Sequence, residues 1–266
     1  MISVVLATYN EAQNIERCLQ AVQDFADELI VVDGSSTDNT VALAKKLGAQ
    51  VFVTTNKANF HINKQLAMDK AKGELVLQLD ADEVVDQELA EFIQHTHQQL
   101  AEHNFQPLSA TAPVAWYLKR KNLFMGQWLK KGGQYPDPVI RLYLNGYAHL
   151  PQQDVHEQMQ VDGVVAWAKG HLLHYANPQF SDYLRKFATY TSFKAQQLYD
   201  QDTQLSFVNA SKYLLWLPVK TFLLLFIRHK GFVDGIPGFV FALFSGLHHH
   251  VAFLKLWELY ENKQKT

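Results

Sequence analysis

The residues best able to do chemistry lie at the end of a short apolar run. Leu75, Val76, Leu77 and Leu79 suffice for a buried strand, and Asp80 and Asp82 follow it at i and i+2. On an extended backbone two such side chains point to the same side. Paired carboxylates at the edge of a buried strand are costly unless a cation meets them. A hard divalent ion, Mg²⁺ or Mn²⁺, takes oxygen ligands and bridges to substrate phosphates. The competing reading is structural: Asp82, Glu83 and Asp86 also suit the start of a helix. Two further clusters carry titratable groups. Asp154, His156 and Glu157 fall within four positions, and His171 and His174 stand three apart.

The elements that must position these groups alternate. Ile2 to Ala7 reads as a buried strand, Glu28 to Val32 as a second, Gln50 to Thr54 as a third and 75–79 as the next. Between them Ile15, Cys18, Leu19 and Val22 recur at helical spacing, a helix runs to Lys46, and another spans Ile62 to Lys72. Asn10 with Gln13 has the form of a capping box, and Thr37 or Asp38 is placed to cap the second helix. Gly48 and Gly73 close helices. Strands alternating with helices imply βαβ units, hence an α/β fold with a Rossmann-like, mostly parallel sheet flanked by helices. Such sheets bind ligands at the carboxyl ends of their strands. Thr8, Asn10, Asp33, Asp80 and Asp82 all fall there. Asp33 sits where an acid meets the nucleoside in dinucleotide folds, or else it is a turn residue. No G-x-G-x-x-G follows the first strand and there is no Walker A lysine, so a nucleotide would be held by acids and a metal.

Three segments together resemble the family 2 glycosyltransferases of GT-A fold. They are Val4-Val5-Leu6-Ala7-Thr8-Tyr9-Asn10-Glu11, Asp33-Gly34-Ser35-Ser36-Thr37-Asp38-Asn39-Thr40 and Leu79-Asp80-Ala81-Asp82-Glu83. The resemblance covers residues 1–90. It implies that Thr8, Asn10, Glu11 and Asp33 hold the nucleoside of a UDP-sugar, that Asp80 lies near the ribose, and that Asp82 binds the metal on the diphosphate. Arg141, inside a strand over 139–144, joins the nucleotide-sugar residues. Val155-His156-Glu157 is similar to a segment of glycosyltransferases that act on bacterial lipopolysaccharide core, as is Lys255-Leu256-Trp257-Glu258 near the end. An inverting transfer needs a carboxylate base for the acceptor hydroxyl. Glu157 is the first choice and Asp154 the second, while His156 reads equally as a structural histidine. His174 matches a late metal histidine of many GT-A enzymes.

Between these sites the chain is harder to read. Gln94 to His103 looks like a solvated helix end, Ala112 to Leu118 a strand, and Tyr135-Pro136-Asp137-Pro138 a turn. Lys119-Arg120-Lys121 and Lys130-Lys131 are either solvated surface or contacts for an anionic acceptor or headgroup. Ser181 would cap a helix with Tyr183, Leu184, Phe187 and Tyr190 on one face.

The last quarter differs in kind. Of 24 Lys/Arg and 26 Asp/Glu, seven and three lie from Leu205 onward, leaving 17 and 23 in front. The formal charge of −2 argues against a nucleic-acid partner. Cys18 stands alone, which excludes an internal disulfide and reads as core. Met1 leads directly into a strand, so no signal peptide is expected. Ile236 to Leu254 has the length of a spanning helix, but Pro237, Gly238, Gly246 and three histidines speak against crossing. Lysines and arginines interleaved with aromatics fit amphipathic helices lying on a membrane surface, with 231–235 as a hairpin turn. The alternative is a helical pair packed on the sheet or in a homo-oligomer.

The expectation is therefore a GT-A catalytic domain over 1–200 and a helical membrane-surface or oligomerisation tail over 201–266. It would move a sugar, a hexose by preference, from a UDP-sugar to a lipid-linked or lipopolysaccharide-core acceptor on the cytoplasmic face of the plasma membrane. Two alternatives stand beside it. A sugar-phosphate nucleotidyltransferase is disfavoured because Thr8-Tyr9-Asn10-Glu11 carries no basic residue. A non-catalytic sugar-nucleotide-binding scaffold is disfavoured by Asp33, Asp80, Asp82 and Glu157 together.

Overall fold

The structure, a computed structural model, describes residues 1–57, 59–107, 109–151 and 158–264. The chain forms two compact units, Met1–Arg120 with Pro138–His174, and Lys121–Asp137 with Tyr175–Thr266.

The first unit is built on β1 (Ile2–Thr8), β2 (Glu28–Asp33), β3 (Gln50–Val53) and β4 (Leu75–Leu79). These four are parallel, with β1 between β2 and β4 and β3 beyond β2. Their helices are α1 (Ile15–Gln20), α2 (Thr40–Lys46) and α3 (Phe60–Met68). A parallel sheet covered on both faces needs apolar side chains in both directions, which is why β1, β2 and β4 read as largely hydrophobic runs. Val4, Leu6, Leu75, Leu77 and Leu79 meet Ile15 and Leu19 on one face; Val5, Ile30, Val32 and Val76 meet Ala67 and Met68 on the other.

The chain then reverses. β5 (Glu83–Val85) and α4 (Gln87–Ala101) follow, then β6 (Pro113–Phe124), β7 (Gln127–Trp128), β8 (Asp137–Leu144), β9 (Ala148–His149), β10 (Gln160–Val161) and β11 (Val164–Asn177). The sheet order is β3-β2-β1-β4-β8-β6-β11-β5. β8 lies antiparallel to β4, and β5 antiparallel to β11. This α/β sheet flanked by helices is the class the sequence implied.

Several local expectations need correction. Asn10 does not cap α1; its φ is +56°, and Asn14 holds the cap position without a side-chain bond to the helix's first N–H groups. α3 ends at Met68, several residues before Gly73. Glu83 begins a strand, and only Asp86 starts a helix, its carboxylate accepting the N–H of Leu89 at the head of α4. That helix ends at Ala101, within the stretch Gln94 to His103 read as a solvated helix end.

The second unit is helical. α5 (Phe180–Asp200) starts after Gln179, so Ser181 is inside the helix and is not its cap. Of the face expected there, Tyr183 and Phe187 pack on Phe244, while Leu184 and Tyr190 remain exposed. α6 (Phe207–Ser211) and α7 (Leu217–Leu223) are linked and followed by turns of π-helix, and α8 (Gly235–Gln264) returns after a short turn at Gly231–Asp234. The hairpin expected around 231–235 is thus present. Its arms approach closely at glycines: a Cβ on Gly246 would lie 2.7 Å from the carbonyl oxygen of Pro218. Ala195 and Leu198 of α5 join Phe253 and Leu256 of α8 in a small core. Phe207–Arg228 and Gly231–Asn262 are long and apolar enough to cross a membrane by length and composition, with only 6% and 28% of their apolar windows buried.

Candidate active site

Two polar groupings lie at the strand ends. At the ends of β1 and β2, Asp33 is fully buried and accepts hydrogen bonds from Thr8 Oγ1 (2.8 Å), Ser36 N (2.7 Å) and Ser36 Oγ (2.6 Å). Asn10 N donates to Ser36 Oγ, and Thr37 N donates to Asn10 Oδ1, both at 2.8 Å. Glu11 accepts from Asn14 Nδ2, and its own N–H donates to Thr40 Oγ1. The sequence-predicted nucleoside residues Thr8, Asn10, Glu11 and Asp33 therefore lie in two loops tied to each other. Asp33 anchors that tie, and a carboxylate with about four lone-pair sites has one left for a further donor.

At the end of β4 the Asp-x-Asp-Glu turn is held from within. Glu83 N donates to Asp80 O, and Asp80 N donates to Glu83 Oε2, both at 2.9 Å. Glu83 is completely buried, and its other oxygen faces Arg141 Nη2 at 3.2 Å and Arg120 Nη1 at 3.4 Å. Asp80 is clamped at 2.5 Å by both Lys64 Nζ and Arg141 Nη2. Register explains Arg141: Leu77 pairs with Leu142 across β4 and β8, so the next step sets Gln78 opposite Arg141, and their side chains hydrogen-bond. Burial works against charge on Asp80, but Arg141 and Lys64 outweigh it and hold the carboxyl far below its usual range. Burial likewise lowers Lys64, with Asp80 opposing, and it works against Arg141, which Asp80 and Glu83 nevertheless push upward.

Asp82 points elsewhere. Its Oδ2 lies 3.4 Å from His174 Nε2. β11 makes this possible by pairing His174 with Glu83 across β5. The other histidine of the pair, His171, is committed to Asp86 through both N and Nδ1, at 2.9 and 3.0 Å. Gly170, at φ +77°, passes so close that a Cβ would lie 2.7 Å from Asp86 Oδ1. Among the described residues no group of three or more His, Cys, Asp or Glu side chains forms a metal cage. A carboxylate and an imidazole nonetheless suit an ion that completes its shell with water and phosphate oxygens.

A cleft of about 320 Å³ opens beside Asp80, with Lys64, Arg120, Arg141, Leu150, Gln158 and Met159 in its wall. Three cations and one carboxylate thus face it, with Glu83 buried behind. Arg141 Nε is a buried donor with no hydrogen-bond partner among the described residues. Asp154, His156 and Glu157 lie outside the described residues, between the wall residues Leu150 and Gln158. Sequence reading missed Lys64, Gln78 and Glu83, and offered Arg120 only as solvated surface or a contact for an anionic acceptor or headgroup. Two of them had a visible signal: Lys64 shares a helical face with His61 and Met68, both buried, and Gln78 interrupts an apolar strand.

Comparison with known proteins bears on this arrangement. Residues 3–140 match the family model described as glycosyl transferase family 2. An uncharacterized glycosyltransferase of Rickettsia typhi is 30% identical over 97% of this chain and 87% of its own length. The lipopolysaccharide core biosynthesis glycosyltransferase LpsC of Rhizobium meliloti is 24% identical over 99% and 94%. Among solved structures, S. aureus TarS residues 1–349 in complex with UDP aligns over 100% of this chain and 92% of its own, at 17% identity and TM-score 0.45. This chain spans 54% of a longer TarS chain.

Proposed function

We propose a substrate and a mechanism for this chain, which belongs to glycosyl transferase family 2 and is a glycosyltransferase. The donor is a UDP-sugar, a hexose by preference, and the acceptor is a lipid-linked or lipopolysaccharide-core sugar at the cytoplasmic face of the plasma membrane. The observation that carries this reading is the division of labour in Asp80-x-Asp82. One acid is clamped by Lys64 and Arg141, and the other is left facing His174.

Thr8, Asn10, Glu11 and Asp33 hold the nucleoside. Asp80, with 26% of its side chain exposed, accepts a ribose hydroxyl while Lys64 and Arg141 keep it charged. Lys64, Arg120 and Arg141 supply the positive field that a diphosphate needs, and the Arg141 Nε hydrogen is a donor still to be satisfied. Asp82 and His174 would hold Mg²⁺ or Mn²⁺, which when bound acts as a Lewis acid on the diphosphate. Glu157 takes the proton of the acceptor hydroxyl, whose oxygen attacks the anomeric carbon as the bond to UDP breaks, in one inverting displacement. The exposed apolar helices of the second unit serve membrane contact.

The test is thermal unfolding with UDP, GDP and CDP, each with and without Mn²⁺. A ligand selective for the native state raises its stability by mass action. Stabilisation by UDP that requires Mn²⁺ and disappears in Asp82→Ala is expected, and no response to any nucleotide would sink the donor assignment. Glu157→Gln should lower turnover and leave UDP stabilisation intact. If Asp154→Asn does this instead, the base is Asp154.

A further inference from the structure

We infer that the closed end of the helical hairpin, together with the loop after β7, is a docking site for an anionic bilayer surface. The inference rests on the membrane reading above and gives that contact a place and a charge. Asp234 is 2% exposed and accepts the backbone N–H groups of Lys130 (3.0 Å) and Lys131 (2.8 Å). Gln127 Nε2 donates to Asp234 O, and Gly132 N donates to His229 O. These bonds fix the Lys130–Lys131 loop against the turn that carries Arg228 and Lys230. Four cationic side chains are thereby gathered at one corner of the second unit, all exposed. Among the described residues none of the four makes an ion pair, and the one carboxylate at their centre is buried and bonded to backbone amides.

The same corner exposes large apolar side chains: Ile227, Phe232, Val233 and Ile236, each at least half exposed. Unpaired cations beside unburied hydrocarbon match a surface that offers anionic headgroups above acyl chains. A second copy of the chain fits poorly. A two-fold contact sets the same patch against itself, which would bring the four cations face to face. A free anion would satisfy the charges but leave Phe232 and Ile236 in water.

The experiment is co-sedimentation of the full chain with vesicles of phosphatidylcholine alone and of phosphatidylcholine mixed with phosphatidylglycerol. The variant is Lys130→Gln/Lys131→Gln. Both side chains are exposed and the bonds to Asp234 come from the backbone, so the fold is kept. Wild type should prefer the anionic vesicles, and the preference should fade with salt. The double variant should lose about 25-fold in partition to anionic vesicles, about fivefold per lysine, with no change on neutral ones. Ile236→Ser should weaken binding to both. Wild-type affinity in the double variant, or equal wild-type binding to neutral and anionic vesicles, would overturn the docking site and leave the membrane reading standing. Absence of any vesicle binding, with a concentration-dependent dimer instead, would overturn both. Mn²⁺-dependent stabilisation by UDP, followed on the same samples, reports on the donor site separately and should be unchanged.

Discussion

The two units use the same residue classes in opposite ways. In the first, the large apolar side chains of β1, β2 and β4 are sealed from solvent, and the buried charges of Lys64, Glu83 and Arg141 form one ionic network with the half-buried Asp80. In the second, Phe207 is 87% exposed, Val208 73% and Leu215 67%, while the side chains of Lys130, Lys131 and Lys230 make no ion pair among the described residues. Hydropathy alone does not separate these cases, since a buried strand and a surface helix can be equally greasy. Placement does. The first unit buries the large apolar side chains of its central strands, and the second leaves a series of them exposed along its helices.

Substitutions can break or sharpen that contrast. The largest stability effect is expected for Arg141→Ala, which leaves Glu83 and Asp80 with one cation each. Removing one member of a buried ionic network costs about 3 kcal/mol or more, read from denaturant unfolding. A wild-type midpoint would mean that the buried charges tolerate separation. Asp82→Ala should lower transfer by a hundredfold or more, roughly the contribution of a catalytic electrostatic group, with little change in melting temperature. Leu77→Ala, at a fully buried position, should cost about 2–5 kcal/mol, against within about 0.5 kcal/mol for Ile236→Ser at 74% exposure. Equal costs would mean that the hairpin's apolar face is buried in solution and the contrast is false. Gly170→Ala combines a positive φ with a Cβ driven against Asp86 and Leu89, and should cost about 1–3 kcal/mol.

Acid pH tests the pairing more gently. Asp80 is held far below its usual range by Arg141 and Lys64 against the penalty of burial. A carboxyl depressed by folding contributes stability that is complete above its unfolded value, about pH 4, and lost as pH falls toward the folded one. The stability of the wild type should therefore fall below about pH 4 more steeply than that of Asp80→Asn, measured by urea unfolding at each pH. Parallel curves would exclude Asp80 as the linked group.

How far the sequence could be read follows the same division. The parallel strands were legible because burial on both faces leaves continuous apolar runs, and Asp33, Asp80 and Asp82 were legible because strand ends are where such sheets put chemistry. The pairing of His174 with Asp82 came through a motif, but its physical cause, the antiparallel return of β11 onto β5, rests on contacts between residues about ninety positions apart. Lys64 and Glu83, and the place of Arg120 beside them, were illegible for a related reason. Each is an ordinary charged residue locally, and only tertiary structure brings them around Asp80. The capping box at Asn10 and the cap at Ser181 failed because a local hydrogen-bonding residue has several outlets. Asn10 binds Thr37 across to the neighbouring loop.

That last bond has a consequence for observation. Asn10 and Thr37 lie on the surface, yet their amide hydrogens are held by Ser36 Oγ and Asn10 Oδ1. In deuterated water amides so exposed would normally be replaced at once. Here they should be retained and released together, since each loop's protection depends on the other. The pair is a built-in clock for these two loops: a nucleotide that settles against Asp33, as proposed, should slow both hydrogens, and one that binds elsewhere should leave them running at the unliganded rate.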